Sequence, residues 1–219
     1  VSIKGQLTNV ASDSVDVTIR VLDSWSSIPK FSISSSQFGI GLKDKNFFGT
    51  GQQLEYKFIN RISDGKNANN FAYTVPNIKN TFINATAKYN IDLDNNYNKS
   101  IAFERPFYSP LTKWAGGVYF GQQFRKDSLQ GPDLKYEFQN FKFNSQDIWL
   151  AKAFPIFKEK ERKTNLILSG RMLNINYIET PTLEYDPVNF FSDEKLLLTG
   201  IGINTREFVK DNYIFRNGA

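Results

Sequence analysis

The sequence predicts an antiparallel all-β protein, and three observations support this class. Apolar and polar residues alternate along several segments, and a period of two places them on opposite faces of a strand. Clusters of Asn, Asp, Gly, Pro and Ser, which favour turns, separate these segments. Aromatic residues make up 15% of the chain, with 20 Phe and 10 Tyr, and their broad side chains suit a pleated surface.

The clearest strand is predicted within residues 81–93. Its apolar positions recur at every second residue, namely Ile83, Ala85, Ala87, Tyr89, Ile91 and Leu93. The same alternation predicts strands at 53–62 and 114–125, and less regular patterns predict them at 134–143, 148–157, 165–178 and 195–208. The apolar phase slips near Met172 and Leu173, which predicts a bulge. We therefore expect an antiparallel meander of about nine to eleven strands.

Turn-forming residues predict the connections between these strands, at 63–67, 94–96, 126–132 and 181–187.

One of these clusters, with Asp92, Asp94 and Asn96, imitates the start of a calcium-binding loop. Tyr97 stands where such a loop requires glycine, and Phe103 stands where it requires a bidentate glutamate. The cluster therefore predicts a hairpin rich in Asn and Asp, and no metal site.

The composition limits the chemistry of this chain. It contains no Cys and no His, so it lacks thiol nucleophiles, thiolate metal ligands and the commonest general base. No spacing of carboxylates or Ser and Lys residues nominates a catalytic pair, and we predict no enzyme and no cofactor. The net charge is +5, but the cations are interspersed with carboxylates along the strands, which does not favour a nucleic-acid partner.

The first 28 residues differ in pattern from the rest of the chain. Val15, Val17, Ile19 and Val21 alternate with polar residues in a compact strand, with which residues 1–4 are expected to pair. We place a domain boundary near Pro29. This divides the chain into a segment at 1–28, the end of a small module, and a larger β domain at 29–219.

Apolar and polar residues alternate in the strands of both membrane and soluble barrels, so alternation alone cannot distinguish them. Strand length can. Some predicted strands have ten or more residues, close to the roughly 9 to 11 that cross a bilayer with a tilt. Their polar faces carry Ser, Gly, Asn, Gln, Lys, Glu and Arg, which suits a water-filled interior. No run approaches the roughly 20 apolar residues of a membrane-spanning helix. We predict part of a transmembrane β-barrel; a soluble β-sandwich or calyx that binds an apolar ligand remains the alternative.

Three segments resemble the BamA-like outer-membrane assembly factors of the bacterial surface antigen family. A glycine-bearing strand leads into an Asp-x-Asn-aromatic-x-Gly-x-Gly turn; its residues are Phe38, Gly39, Gly41, Asp44, Asn46, Phe47, Gly49 and Gly51. An acidic-Pro-aromatic turn follows at Glu104, Pro106 and Phe107, before a strand that begins Trp114-Ala115-Gly116-Gly117. The segment 15–21 resembles the closing strand of a periplasmic POTRA module.

This resemblance implies a location and a function. Residues 1–28 would end a periplasmic POTRA-like module, and residues 29–219 would form the N-terminal portion of a barrel in the bacterial outer membrane. The implied partners are the lipid bilayer, unfolded outer-membrane proteins and accessory lipoproteins. The implied function is to help fold and insert other barrels. A protein-secretion pore of the same superfamily fits equally well.

The expected site is an edge, not a catalytic centre. A first strand near residues 30–38 would offer backbone groups to an incoming strand. The residues expected at this edge are Phe31, Ser32, Ile33, Ser34 and Phe38. Gly39 and Gly41 are expected to let neighbouring strands approach closely, and Gly49 and Gly51 to adopt positive φ in a tight turn.

Overall fold

A computed structural model of the chain describes residues 2–7, 15–20, 25–109, 111–158, 162–209 and 216–218. Strand dominates this part of the chain. The strands are β1 (Ser2–Leu7), β2 (Val15–Arg20), β3 (Ser27–Ile33), β4 (Gln37–Phe47), β5 (Gln52–Arg61), β6 (Asn67–Val75), β7 (Asn84–Ile91), β8 (Tyr97–Arg105), β9 (Trp114–Gln130), β10 (Tyr136–Lys158), β11 (Arg162–Glu179), β12 (Glu194–Val209) and β13 (Arg216–Gly218). A single 3-10 turn at Ile78–Asn80 is the helical element of the described residues.

The strands form two antiparallel sheets. β1 pairs with β2, and β3 to β13 form an eleven-stranded meander in which each strand pairs with its neighbours along the chain. The predicted all-β antiparallel meander is therefore confirmed. Within the described residues, β3 and β13 each pair with a single strand, so the larger sheet is not closed on itself.

The small sheet contains the start of the chain, as expected. Lys4 of β1 lies opposite Thr18 of β2, and Ser2 lies opposite Arg20. The change from the small sheet to the large one falls between Arg20 and Ser27, where β3 begins. The large sheet thus starts two positions before the boundary that we placed at Pro29.

One long strand replaces two predicted ones. The segments 134–143 and 148–157 belong to a single strand, β10, which has 23 residues. Its polar middle is held on both sides, because Ser145 lies opposite Gly121 of β9 and Ile175 of β11. β9 also continues to Gln130, through most of the turn predicted at 126–132. Pairing with long neighbours here overrides the local preference for a turn.

The bulge predicted near Met172 and Leu173 is wrong. Met172 lies opposite Ile148 and Leu173 opposite Asp147, without a break in register. The apolar phase slips because both faces of β11 carry apolar residues at this point. An irregularity occurs instead between Pro155 and Phe157, where proline has no N–H to donate to the ladder.

The large sheet has one apolar face and one polar face. Directly opposite residues share a face, so each face can be followed from strand to strand. One row of the apolar face contains Pro29, Leu42, Tyr56, Phe71 and Tyr89, from β3 to β7. The adjacent row of the polar face contains Lys30, Gly41, Lys57, Asn70 and Asn90. The two faces differ most clearly from β3 to β7; beyond Tyr89 the same row of the apolar face continues with Lys99, Gln122 and Asn144.

Burial is inverted relative to a soluble sheet. The buried hydrophobic residues of the described chain all lie on the polar face; they are Ala68, Ala115, Phe141, Ala151 and Ala153. Large side chains of the apolar face are exposed, for example Ile40 at 49%, Leu150 at 56% and Ile201 at 80%. Contacts between described elements join neighbouring strands, and no second sheet packs on either face. This pattern indicates that the polar face is concave.

The two ends of the sheet differ in how far the strands extend. The turns after β3, β5, β7, β9 and β11 form the first rim, and those after β4, β6, β8 and β10 form the second. At the first rim, the β8–β9 ladder ends where Tyr97 lies opposite Phe124, whereas the β9–β10 ladder continues to Gln130 and Tyr136.

Among the described residues, none of the helical structure is long and apolar enough to cross a membrane.

Candidate functional site

The first edge of the large sheet is β3. Phe31, Ser32 and Ile33 lie on it, and within the described chain β3 pairs only with β4. Phe31 and Ile33 are among the most exposed apolar residues, at 78% and 88%. These three residues therefore lie on a strand whose second side carries no partner in the described part of the chain.

The other two predicted edge residues lie elsewhere. The expected single strand at 30–38 is divided, because a turn at 34–36 separates β3 from β4. Ser34 belongs to this turn, where its Oγ accepts a hydrogen bond from the backbone N–H of Gln37 at 3.0 Å. Phe38 lies on β4, opposite Ile33 on one side and Asn60 on the other. Placing Phe38 at the edge was wrong, since both of its sides are paired.

Gly39 and Gly41 allow the close approach that the sequence predicted. A Cβ atom at Gly39 would lie 2.6 Å from Oγ of Ser32 and 3.1 Å from the carbonyl oxygen of Phe58. A Cβ atom at Gly41 would lie 2.9 Å from the carbonyl oxygen of Tyr56. Both glycines are on the concave face, so their missing side chains let β3, β4 and β5 curve together.

The turn between β4 and β5 is held by its own polar residues. The Asp44 carboxylate accepts from the N–H of Asn46 at 2.8 Å and from the Ser27 hydroxyl at 2.6 Å, which ties the turn to β3. The Asn46 side chain accepts from the N–H of Gly51 at 2.7 Å. Gly49 and Gly51 have φ values of 72° and 73°, which confirms the positive φ expected of them.

The acidic-Pro-aromatic motif is at the end of β8. Glu104 is the next-to-last residue of β8, on the polar face opposite Asn84 and Gly117, and Pro106 and Phe107 follow this strand. The structure brings none of these three into contact with the β3 edge.

Arg105, which the sequence analysis did not select, stabilises the connection between β8 and β9. Its Nη1 donates to the carbonyl oxygen of Trp114 at 2.6 Å, and its Nη2 donates to the Tyr108 hydroxyl at 3.2 Å. The Tyr108 ring stacks on Phe82 with centroids 3.7 Å apart. The signal that could have found Arg105 is its place in the sequence, between Glu104 and Pro106 of the acidic-Pro-aromatic motif.

Two groups of charged residues on the polar face are paired across strands. Glu55 of β5 accepts from Lys30 of β3 at 2.9 Å and lies 3.2 Å from Nζ of Lys43 of β4. Arg171 of β11 binds both carboxylate oxygens of Asp147 of β10. These pairs join neighbouring strands on the concave side, whereas exposed apolar residues occupy the convex side.

A cluster of charges joins two turns of the first rim. Arg61 donates to Asp64 in the β5–β6 turn and to Asp94 in the β7–β8 turn, and Nζ of Lys66 lies 3.3 Å from Asp94. These hydrogen bonds, first from Arg61 and then from Lys66, lower the pKa of Asp94. The cluster therefore favours the charged form of this carboxylate.

The segment with Asp92, Asp94 and Asn96, whose sequence imitates a calcium-binding loop, forms a hairpin turn. Oδ1 of Asp92 accepts from the N–H groups of Asp94 and Asn96 at 2.8 and 2.9 Å, and Oδ2 accepts from the Asn96 side chain. Within the described residues, no group of three acidic side chains could hold a metal ion. The oxygens of Asp92 instead stabilise the backbone of the turn.

The connection between β11 and β12 folds onto the polar face at the first rim. The Phe191 ring lies 4.6 Å from Phe141 and 6.4 Å from Tyr177, measured between centroids. The Asp186 carboxylate accepts from the N–H groups of Phe190 and Phe191 at 2.8 and 3.0 Å. The sequence predicted a turn at 181–187 but not this aromatic cover.

Comparison with known proteins does not assign this chain to a family. No protein-family model matches the chain, and no curated protein matches it.

Proposed function

We propose that this chain is the N-terminal part of an outer-membrane β-barrel that helps fold and insert other outer-membrane proteins, as BamA-like proteins do. In this proposal residues 1–28 end a periplasmic POTRA-like module. The observation that carries the membrane location is the inverted sheet: most of its exposed large apolar residues lie on one face, and its buried hydrophobic residues lie on the other.

The physical reason is the free energy of transfer from water. Burying one large apolar side chain contributes about 1.5 to 3 kcal/mol. The apolar face presents such side chains on every strand from β3 to β12, including Phe31, Ile101, Phe120, Leu168 and Ile203. An apolar surface this extensive is unfavourable in water, and the acyl chains of a bilayer would cover it.

The polar face supports the same proposal from the other side. A barrel interior that contains water favours charged and amide side chains that pair across the wall. Lys30, Lys43 and Glu55 form such a group, and Asp147 pairs with Arg171. A soluble calyx would need the opposite arrangement, with apolar residues on the concave face.

The assembly step in this proposal is strand addition at β3. An exposed edge strand offers N–H and C=O groups to an incoming strand, which adds by main-chain hydrogen bonds. β3 has seven residues and contains Pro29, which cannot donate to a ladder. A short edge strand with a proline is held by fewer hydrogen bonds than the strands of the interior, which favours exchange of its partner.

Depletion of the full-length protein tests the function. The expected result is a broad fall in the levels of other outer-membrane barrels. Loss of one secreted protein with normal barrel levels would support the secretion pore instead. Unchanged levels of both would contradict the assembly role.

Disulfide cross-linking tests the edge, because residues 1–219 contain no Cys that would compete with an introduced one. A Ser32→Cys variant of the full-length protein is expected to cross-link to Cys residues in a strand of a barrel protein during its assembly. The matched control is Ser100→Cys on β8, which is paired on both sides. Equal cross-linking by both variants, or by neither, would contradict strand addition at β3.

A further inference from the structure

Four carboxamide side chains form one row across neighbouring strands of the polar face. Asn70 of β6 lies opposite Asn90 of β7, Asn90 lies opposite Asn98 of β8, and Asn98 lies opposite Gln123 of β9. Directly opposite residues have Cβ atoms about 4.5 to 5.5 Å apart. These four residues, the carboxamide row, therefore present their amides side by side.

The protein itself does not use these amides. In the part of the chain that the structure describes, no hydrogen bond engages the side chain of any of the four residues. Oδ1 of Asn98 is also buried without a partner. Buried polar atoms in proteins are nearly always hydrogen-bonded, so this carbonyl oxygen is suited to a donor from outside the chain.

Several carboxamides on the opposite face are hydrogen-bonded. Nε2 of Gln122 donates to Oδ1 of Asn144 at 2.9 Å, and the Tyr56 hydroxyl donates to Oδ1 of Asn69 at 2.8 Å. Gln122 is the immediate neighbour of Gln123 on β9. Oδ1 of Asn174, also on the opposite face, is buried without a partner, but Nδ2 of that residue donates to Oδ1 of Asn176 at 2.6 Å. What distinguishes the carboxamide row is that four adjacent amides all lack hydrogen bonds within the described residues.

All four residues of the row line one cavity of about 510 Å³ near the first rim. This volume is within the range of about 300 to 1,000 Å³ that holds small ligands. The charged residues in its wall are Asp92, Arg125, Lys126 and Asp127, two acidic and two basic. Their charges balance, which favours a neutral polar ligand over an ion.

We propose that the carboxamide row binds an oligosaccharide. Each carboxamide both donates and accepts hydrogen bonds, as sugar hydroxyls do. Adjacent strands lie about 4.7 to 4.9 Å apart, whereas an extended peptide advances only about 3.2 to 3.4 Å per residue. The strand spacing is close to the length of one pyranose unit, so successive sugars meet successive amides and successive amino acids do not.

Beyond β9, aromatic residues of β10 and β11 occupy the same row of the polar face. Gln123 lies opposite Phe143 of β10, whose ring centroid is 5.3 Å from that of Tyr177 on β11. Both rings are only partly buried and offer apolar surface to the C–H face of a sugar. This binding site goes beyond strand addition at β3 and does not depend on it.

Calorimetric titration of the purified full-length protein tests the proposal. The probes are maltohexaose, cellohexaose and a hexapeptide of alternating serine and glycine. We expect one of the hexasaccharides to bind, and Asn98→Ala and Gln123→Ala each to weaken it about tenfold, because each removes two neutral hydrogen bonds. Gln122→Ala is the matched control, on the same strand with its side chain on the other face.

The outcomes separate the alternatives. Binding of a hexasaccharide that weakens in Asn98→Ala and Gln123→Ala but not in Gln122→Ala supports the proposal. Three results would each overturn it: no binding of either sugar at millimolar concentration, equal weakening by all three variants, or binding of the hexapeptide in preference to the sugars. Thermal unfolding of each variant, followed by circular dichroism, identifies a loss of binding that comes from misfolding.

Discussion

Arg105 and Trp114 join the end of β8 to the start of β9, through a 2.6 Å hydrogen bond from Nη1 of the arginine to the tryptophan carbonyl oxygen. The guanidinium also donates to the Thr81 carbonyl oxygen and the Tyr108 hydroxyl. One side chain therefore holds two neighbouring connections of the second rim together.

Replacement of Arg105 should destabilise this rim. Arg105→Ala removes hydrogen bonds from a charged donor and leaves carbonyl oxygens without partners, so we expect a loss of about 1 to 3 kcal/mol in the free energy of unfolding. Denaturant unfolding measures it. The control is Lys99→Ala, a cation on the same face of β8 whose Nζ lies 5.8 Å from the centroid of the Tyr97 ring. Equal stability of the two variants would contradict the role given to Arg105.

A methyl group at Gly41 should disturb the first edge. The Cβ atom of Gly41→Ala would lie 2.9 Å from the Tyr56 carbonyl oxygen, and backbone atoms must move to relieve this clash. We expect a loss of about 1 to 3 kcal/mol. Gly202→Ala is the matched control, since nothing lies within 4 Å of a Cβ atom there. If Gly202→Ala lowers the free energy of unfolding by as much, the effect at Gly41 does not come from the close approach of the neighbouring strand.

Gly51→Ala should strain the β4–β5 turn. Its φ of 73° is in the left-handed region, where an L residue costs about 1 to 2 kcal/mol. Thermal unfolding should show a lower midpoint for this variant. Gly170→Ala serves as the control, because Gly170 has open space around its Cβ position and no positive φ. Unchanged stability of Gly51→Ala would mean that the turn adapts to a side chain.

The charge cluster of the first rim should make stability depend on pH. Its hydrogen bonds lower the folded-state pKa of Asp94 below the ordinary value of 3.8. The stabilisation is thus fully present above the unfolded-state pKa and is lost as the pH falls through the lower folded-state pKa. Asp94→Asn should lower stability at neutral pH and reduce its loss on acidification, as measured by unfolding at a series of pH values.

Asp127→Asn is the control for that series. The Asp127 carboxylate accepts from the N–H of Ser128 and forms no ion pair among the described residues. Its variant should follow the parent protein at every pH. Added salt should also weaken the effect of Asp94, since the cluster is exposed. Identical pH profiles for Asp94→Asn and the parent would show that the cluster contributes nothing.

Local pattern predicted the strands whose two faces differ most. The alternation within 81–93 corresponds to β7, and the turn residues Gly49 and Gly51 have the positive φ that their positions suggested. β10 was predicted as two strands because its polar middle, near Ser145, resembles a turn until the long neighbours that pair with it are known. The bulge near Met172 was wrong because a strand with two apolar faces imitates a phase slip.

Long-range register limits what the sequence reveals of the candidate site. Asn90 and Asn98 lie on one hairpin, but Asn70 and Gln123 are more distant in sequence, and only the pairing of four strands places all four in one row. The cover formed by Phe191 over Phe141 depends likewise on where a long connection folds. Phe38 was placed at the edge because residues 34–36, three consecutive Ser, were assigned to one strand, although such a cluster favours a turn.

The most direct test of the account is which face of the sheet meets lipid. Ile101 and Ser100 are neighbours on β8, with Ile101 on the apolar face and Ser100 on the polar face. Full-length Ile101→Cys and Ser100→Cys variants, each labelled with a fluorophore, can be placed in bilayers with brominated acyl chains. The account predicts strong quenching at residue 101 and little at 100. Strong quenching at residue 100 with little at 101, or none at either, would contradict it.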